Sequence, residues 1–250
     1  APRAKLRLPL RIAFSLVRVT RNDPAEEFFV NLLSQEERFH RGKPAAFPVF
    51  GRGTVRLAPV GLRAGQLAAR WPSLRVGLEQ PLVISAGVCG ALSPDLRAGD
   101  LVLPESVIGA AAERLNVTPT PYGRATGLAS GARRGTLTTS RDVVATPEAK
   151  AALYSQTGAV AVDMESALIL AHAAHAGCPT LVVRAVSDVA SESLPPELIG
   201  LVTEEGKLRT SRALALAVTR PRVLPRAMAL RRATQRGLVA VARLLAAFAA

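Results

Sequence analysis

The chain has 250 residues, 49% of them hydrophobic, which allows one sizeable core and excludes both a disordered chain and a small disulfide-built scaffold. Its formal net charge of +13 sits at the ends: residues 1–21 hold six basic side chains and 206–250 hold ten, with no acid in either stretch. The segment between carries sixteen basic and nineteen acidic residues, so the body is a slightly acidic globular domain and not a uniformly basic nucleic-acid binder.

The elements are predicted in chain order as follows. Ile12–Val19 is expected to be a strand, and Pro24 to open a helix with Glu26 and Glu27 in its first turn. Phe47–Phe50 and Thr54–Val60 flank Gly51-Arg52-Gly53 in a hairpin pattern, and Gly61–Ala69 is expected to be a short helix. Leu82–Ala86 has the continuous apolar run of a strand buried on both faces, breaking into a glycine turn at Gly87-Val88-Cys89-Gly90, with another strand at Asp100–Leu103. Residues 109–135, rich in Gly, Ala, Thr and Pro, are expected to form loops and irregular strands. Pro147–Tyr154 is predicted helical, Ala159–Val162 a strand, and Met164–Ala176 a helix that Gly177 caps and Pro179 ends. Thr180–Val186 is a β-branched buried strand. This alternation predicts an α/β fold: a three-layer sandwich with a central mixed β-sheet flanked by helices, occupying 1–205, with basic C-terminal helices as an amphipathic extension over 206–250.

Two cysteines, Cys89 and Cys178, stand outside any CxxC or His-rich setting, so a reducing cytoplasm is expected and a structural metal is not. No apolar run reaches the ~20 residues of a membrane-spanning helix. The N-terminal stretch lacks a small-residue cleavage site, and a first strand is the better reading there than a secretion signal.

The chemistry concentrates in VDMES and VVRAVSD. Asp163, Met164 and Glu165 stand at a helix start, and Ser187-Asp188 at the end of a buried strand, where open α/β sheets bind ligands. Taken singly, each has a plain structural role: Asp163 as a helix cap, Met164 as core filler, Glu165 as a surface acid near a helix dipole, Asp188 as a turn residue. Capping is the favoured role for Asp163. His172 and His175 are read as surface or packing residues.

SAGVCGALSPDLRAGDLV together with GAVAVDMESALILAHAAHAGCPTLVVRAVSD resembles the nucleoside phosphorylase and nucleosidase superfamily, over residues 82–200. Within it, SRDVVATPEAKAAL, the LPPEL after Asp188 and the basic tail look most like the hopanoid-associated branch, which removes adenine from adenosylhopane. The resemblance implies cleavage of a purine N-glycosidic bond in a 5′-substituted adenosine. Asp188 would be the general acid at N7 with Ser187 orienting it. Glu165 would hold the ribose hydroxyls and Met164 would pack on the sugar. Gly87 and Gly90 would let the backbone approach, Val143 and Val144 would line the base pocket, and Arg184 would support the site. It implies a nucleoside ligand, no cofactor, inorganic phosphate as a candidate co-substrate, and a homo-oligomer; no metal is expected, since His172 and His175 lack a third ligand, and no nucleic acid, since the basic segments hold almost no aromatics.

Ser85 and Val88 stand where phosphorylases of this family place an arginine and a hydroxyl for phosphate, and neither favours a dianion. Arg63 remains a candidate phosphate contact, and Glu26 or Glu27 a candidate for positioning water. The alternatives left open are a soluble methylthioadenosine/S-adenosylhomocysteine-type nucleosidase, a purine nucleoside phosphorylase, and a non-catalytic nucleoside-binding protein. In Pro221–Ala250, Arg222, Arg232, Arg236 and Arg243 fall opposite Val223, Ala227, Leu230, Leu238, Val241, Leu245 and Phe248. Two outcomes are consistent with this stripe: peripheral contact with an anionic membrane on its inner face, or packing on the domain.

Overall fold

The computed structural model describes residues 10–14, 50–52, 55–60, 62–65, 67–75, 80–199 and 219–249. The expected Pro24 helix, with Glu26 and Glu27, and the boundary near residue 205 lie outside them. Among the described residues, ten strands form one mixed sheet: β1 Leu10–Phe14, β2 Phe50–Arg52, β3 Val55–Pro59, β4 Leu82–Ala91, β5 Leu101–Val102, β6 Ser106–Ile108, β7 Arg114–Asn116, β8 Thr136–Thr139, β9 Ala161–Asp163 and β10 Thr180–Asp188. The helices are α1 Leu67–Arg75, α2 Pro119–Leu128, α3 Pro147–Thr157, α4 Ser166–His175, α5 Pro196–Ile199 and α6 Leu224–Ala249.

The order runs β2-β3-β1-β4-β9-β8-β6-β7, with β10 also beside β4 and pairing β5. Strand β4 organises the sheet. Parallel β10 flanks it along its length on one edge, while on the other parallel β1 pairs its first half and antiparallel β9 takes over at Gly90 and Ala91. The ends of β4, β9 and β10 therefore converge.

Alternation along the two central strands builds the layers. Leu82, Ile84 and Ala86 of β4 and Leu181, Val183 and Ala185 of β10 pack with Val241, Leu244, Leu245 and Phe248 of α6. On the opposite face, Val83 packs with Leu67 of α1 and with Ile169 and Ala173 of α4. This is the three-layer α/β arrangement.

The C-terminal helix is amphipathic as expected, and its apolar face covers β4 and β10. Leu238, Val241, Leu245 and Phe248 are buried, while Arg222, Arg226, Arg232, Arg236 and Arg243 are exposed. No helix of the described residues is long and apolar enough to cross a membrane. The helix runs close to the strand at Gly237, where a Cβ would lie 2.9 Å from Ala185 Cβ. Since Leu245 is wholly buried in that layer, Leu245→Ala is expected to cost about 2–5 kcal/mol of stability in denaturant unfolding. A loss below the lower figure would mean that α6 is not part of the cooperative unit.

Several local expectations shift. Gly51 and Arg52, expected in the hairpin turn, instead continue β2 opposite Arg56 and Val55. In place of one helix over 61–69 there is a 3-10 turn, Leu62–Ala64, kinked at Arg63 (φ 53), before α1 begins. The glycine segment 87–90 does not break the strand, and β4 runs through it to Ala91. Residues 109–135 contain α2, whose Pro119 and Pro121 sit in the first turn, where a missing N–H costs nothing.

Candidate active site

A cavity of about 210 Å³ opens where β4, β9 and β10 converge. Its wall contains Val88, Cys89 and Gly90 from β4, Met164 and Glu165 after β9, Ser187 and Asp188 ending β10, and Val143 and Val144 from the loop before α3. Asp188, Ser187, Glu165, Met164, Val143 and Val144 therefore share one cavity. Gly87 and Arg184 do not line it: they pair with each other in the β4–β10 register behind the wall.

The link between β9 and α4 explains the placing of Glu165. The helix starts at Ser166, two residues later than its sequence suggests, because the Asp163 carboxylate accepts the Ser166 N–H at 3.1 Å. Met164 and Glu165 are left in a two-residue turn that faces the cavity. Glu165 is buried and receives the Arg63 backbone N–H at 3.2 Å, an N–H aimed by the left-handed conformation of Arg63. Burial pushes its carboxyl up to about 7 against the pull of Arg184, with the Asp163 charge adding to the rise.

Arg184 is the fixed point beneath this turn. Wholly buried, it donates to Asp163 Oδ2 at 2.7 Å, Ser85 Oγ at 2.8 Å and Ser166 Oγ at 3.0 Å, and its Nη1 lies 3.9 Å from Glu165 Oε2. A planar guanidinium with several donors suits a buried carboxylate pair better than an ammonium would. Ser85 is consumed in this network and does not face the cavity.

At the other end, Asp188 is 4% exposed, and Gly90 provides its space: a Cβ at that position would sit 3.1 Å from Asp188 Oδ2. Ser187 Oγ donates to Asp188 Oδ1 at 2.6 Å and also lies 3.1 Å from the Cys89 carbonyl. Asp188 Oδ2 accepts from Lys150 Nζ at 2.7 Å. Sequence reasoning missed Lys150. The signal was present: Lys150, Leu153, Tyr154 and Thr157 share one face of α3, so the lysine occupies an inward position. Burial pushes the Cys89 thiol well above its ordinary range, so it is a neutral wall residue and not a thiolate.

Arg63 does not face the cavity as an anion contact would. Its Nε donates to the Arg141 carbonyl at 2.7 Å and its Nη2 lies 3.6 Å from Asp142, tying down the loop that carries Val143 and Val144. Among the described lining residues there is no Lys, Arg or His, and four are acids: Asp142, Asp163, Glu165 and Asp188. Among the described residues no group of three or more His, Cys, Asp or Glu is arranged to hold a metal.

This arrangement can grip a polyhydroxyl ring at the Glu165 end and support or protonate a nitrogenous ring at the Asp188 end, between apolar walls. A carboxylate beside the sugar also favours positive charge developing there.

Residues 77–219 match the family described as the phosphorylase superfamily. Over 157 residues the chain is 35% identical to a futalosine hydrolase of Streptomyces coelicolor, a match that spans 53% of this chain and 66%, just under two thirds, of that relative. Its fold is similar to a futalosine hydrolase of Helicobacter pylori (TM-score 0.62, 18% identity, 96% of this chain and 97% of the other). It is similar also to a 5′-methylthioadenosine/S-adenosylhomocysteine nucleosidase of Neisseria meningitidis (TM-score 0.65, 16% identity, 96% and 98%).

Proposed function

Because the chain belongs to the phosphorylase superfamily, we propose that it cleaves the N-glycosidic bond of a 5′-substituted purine nucleoside, with water as the acceptor of the sugar. The observation that carries this is the shared cavity of Asp188 and Glu165, two carboxylates suited to opposite ends of one nucleoside. In the reaction the C1′–N9 bond breaks as water oxygen bonds to C1′. Water gives up a proton, and N7 of the departing base gains one through Asp188. Glu165 holds the ribose hydroxyls, Met164 packs on the sugar, and Val143 and Val144 enclose the base. Gly90 gives the approach at the acid's end, whereas Gly87 and Arg184 act from behind the wall.

Hydrolysis is favoured over phosphorolysis by the charge of the wall. Phosphate would enter beside four carboxylates with no cation among the described lining residues, and Arg63 and Ser85 are engaged elsewhere. Release of free base, followed with methylthioadenosine, S-adenosylhomocysteine, futalosine and adenosylhopane, is expected to proceed at equal rates with and without inorganic phosphate. Strict dependence on phosphate overturns the hydrolytic reading.

The 5′ substituent is proposed to be the hopane skeleton of adenosylhopane, on the strength of the 140–153 segment and the LPPEL stretch after Asp188. The identity to a futalosine hydrolase favours futalosine as the second reading. Contact of α6 with an anionic lipid surface would rest on its exposed arginines and on Leu224 and Met228 near its start, since the apolar face of its later turns is engaged by the sheet.

A further inference from the structure

Lys150 is a long cationic side chain with no exposed surface, on a helix whose other residues are exposed or half-buried. Its three ammonium protons have three acceptors: Asp188 Oδ2 at 2.7 Å, the Val189 carbonyl at 2.8 Å and the Glu192 carbonyl at 3.0 Å. Taking an ammonium out of water is costly, and an apolar side chain of similar volume commonly serves stability as well or better. Filling space therefore does not account for it.

We propose that Lys150 is a positioning residue for the reaction, fixing the direction of the Asp188 carboxylate. This rests on the assignment of Asp188 above. The three contacts tie the end of β10 to the loop that follows it, so the carboxylate has one orientation before a nucleoside enters. Oδ2 rests on the ammonium and Oδ1 on the Ser187 hydroxyl, so both carboxylate oxygens are held.

Other charged groups surround Asp188. Asp142, Asp163 and Glu165 stand in the cavity wall, Arg184 lies behind it, Glu192 follows in the loop, and the Cys89 thiol is neutral. Among the described residues, Lys150 is the cation in contact with the carboxylate.

The test is Lys150→Met, which keeps the volume, alone and combined with Asp188→Asn, in the full chain. Supporting partners of reacting groups cost about 10–100-fold when removed. The expected result is a fall in kcat of that order with KM little changed, and no further loss when the change is added to Asp188→Asn. Two results would each overturn the inference: kcat unchanged, or an equal proportional loss in the Asp188→Asn background. If Lys150→Met does not fold, Lys150→Arg decides. Charge kept but geometry lost should lower kcat about tenfold or more, and wild-type kcat would sink the proposal. A wild type that releases no base from any nucleoside removes the assignment of Asp188 and this inference with it, whereas an active wild type indifferent to Lys150 removes this inference alone.

Discussion

Asp188→Asn is expected to lower kcat by about 10²–10⁴-fold, the range of a single acid–base group. An amide of the same shape can keep the Ser187 contact but cannot carry a proton to a leaving nitrogen. The variant should also lose stability, because Lys150 Nζ would keep two carbonyl partners and lose its carboxylate. Stranding one member of a buried ion pair costs about 3–5 kcal/mol. Both readouts are needed, and circular dichroism must show folded protein before a rate is interpreted. A folded Asp188→Asn protein with wild-type kcat would remove the catalytic assignment.

Glu165→Gln is expected to reduce kcat/KM by about 10²–10³-fold, from the loss of two hydrogen bonds to a charged acceptor at about 1.5–3 kcal/mol each, partly offset by the amide's remaining contacts. The effect depends on pH. The ordinary glutamate value is 4.5, and burial holds Glu165 near 7, so below that point the folded site holds a neutral acid that grips the ribose poorly. Substrate affinity should rise as pH rises through about 7. Stability should move in the opposite sense. Between pH 4.5 and 7 the folded protein retains a proton that the unfolded chain has released, so this group's contribution is present below about 4.5 and lost as pH rises towards 7. Glu165→Gln should flatten both trends. Retention of the acid-side fall in affinity in that variant would assign it to another group.

The parts of the site legible in the sequence were those whose signals are local. Ser187-Asp188 closes an unbroken β-branched run, and Asp163-Met164-Glu165 precedes an apolar helix, so both fall at element ends that a sheet brings together. Their neighbours depended on tertiary contacts. Gly87–Gly90 reads as a turn from composition, yet it continues β4 because β10 and β9 supply partners on either edge and Asp188 needs the room at Gly90. The helix at 119–128 was hidden by two prolines that its first turn tolerates. Lys150 resembles an ordinary solvated lysine until a carboxylate 38 positions later is folded against it. The stripe on α6 was correctly patterned, and only packing could decide which apolar surface it would meet.

Gly237 gives that packing a wider meaning. Exchanging an interior helix glycine for alanine ordinarily adds stability. Here the methyl would wedge α6 away from Ala185, three residues before Asp188. The tail that composition marks as an appendage is thus fitted, at this glycine, to the strand that ends in Asp188.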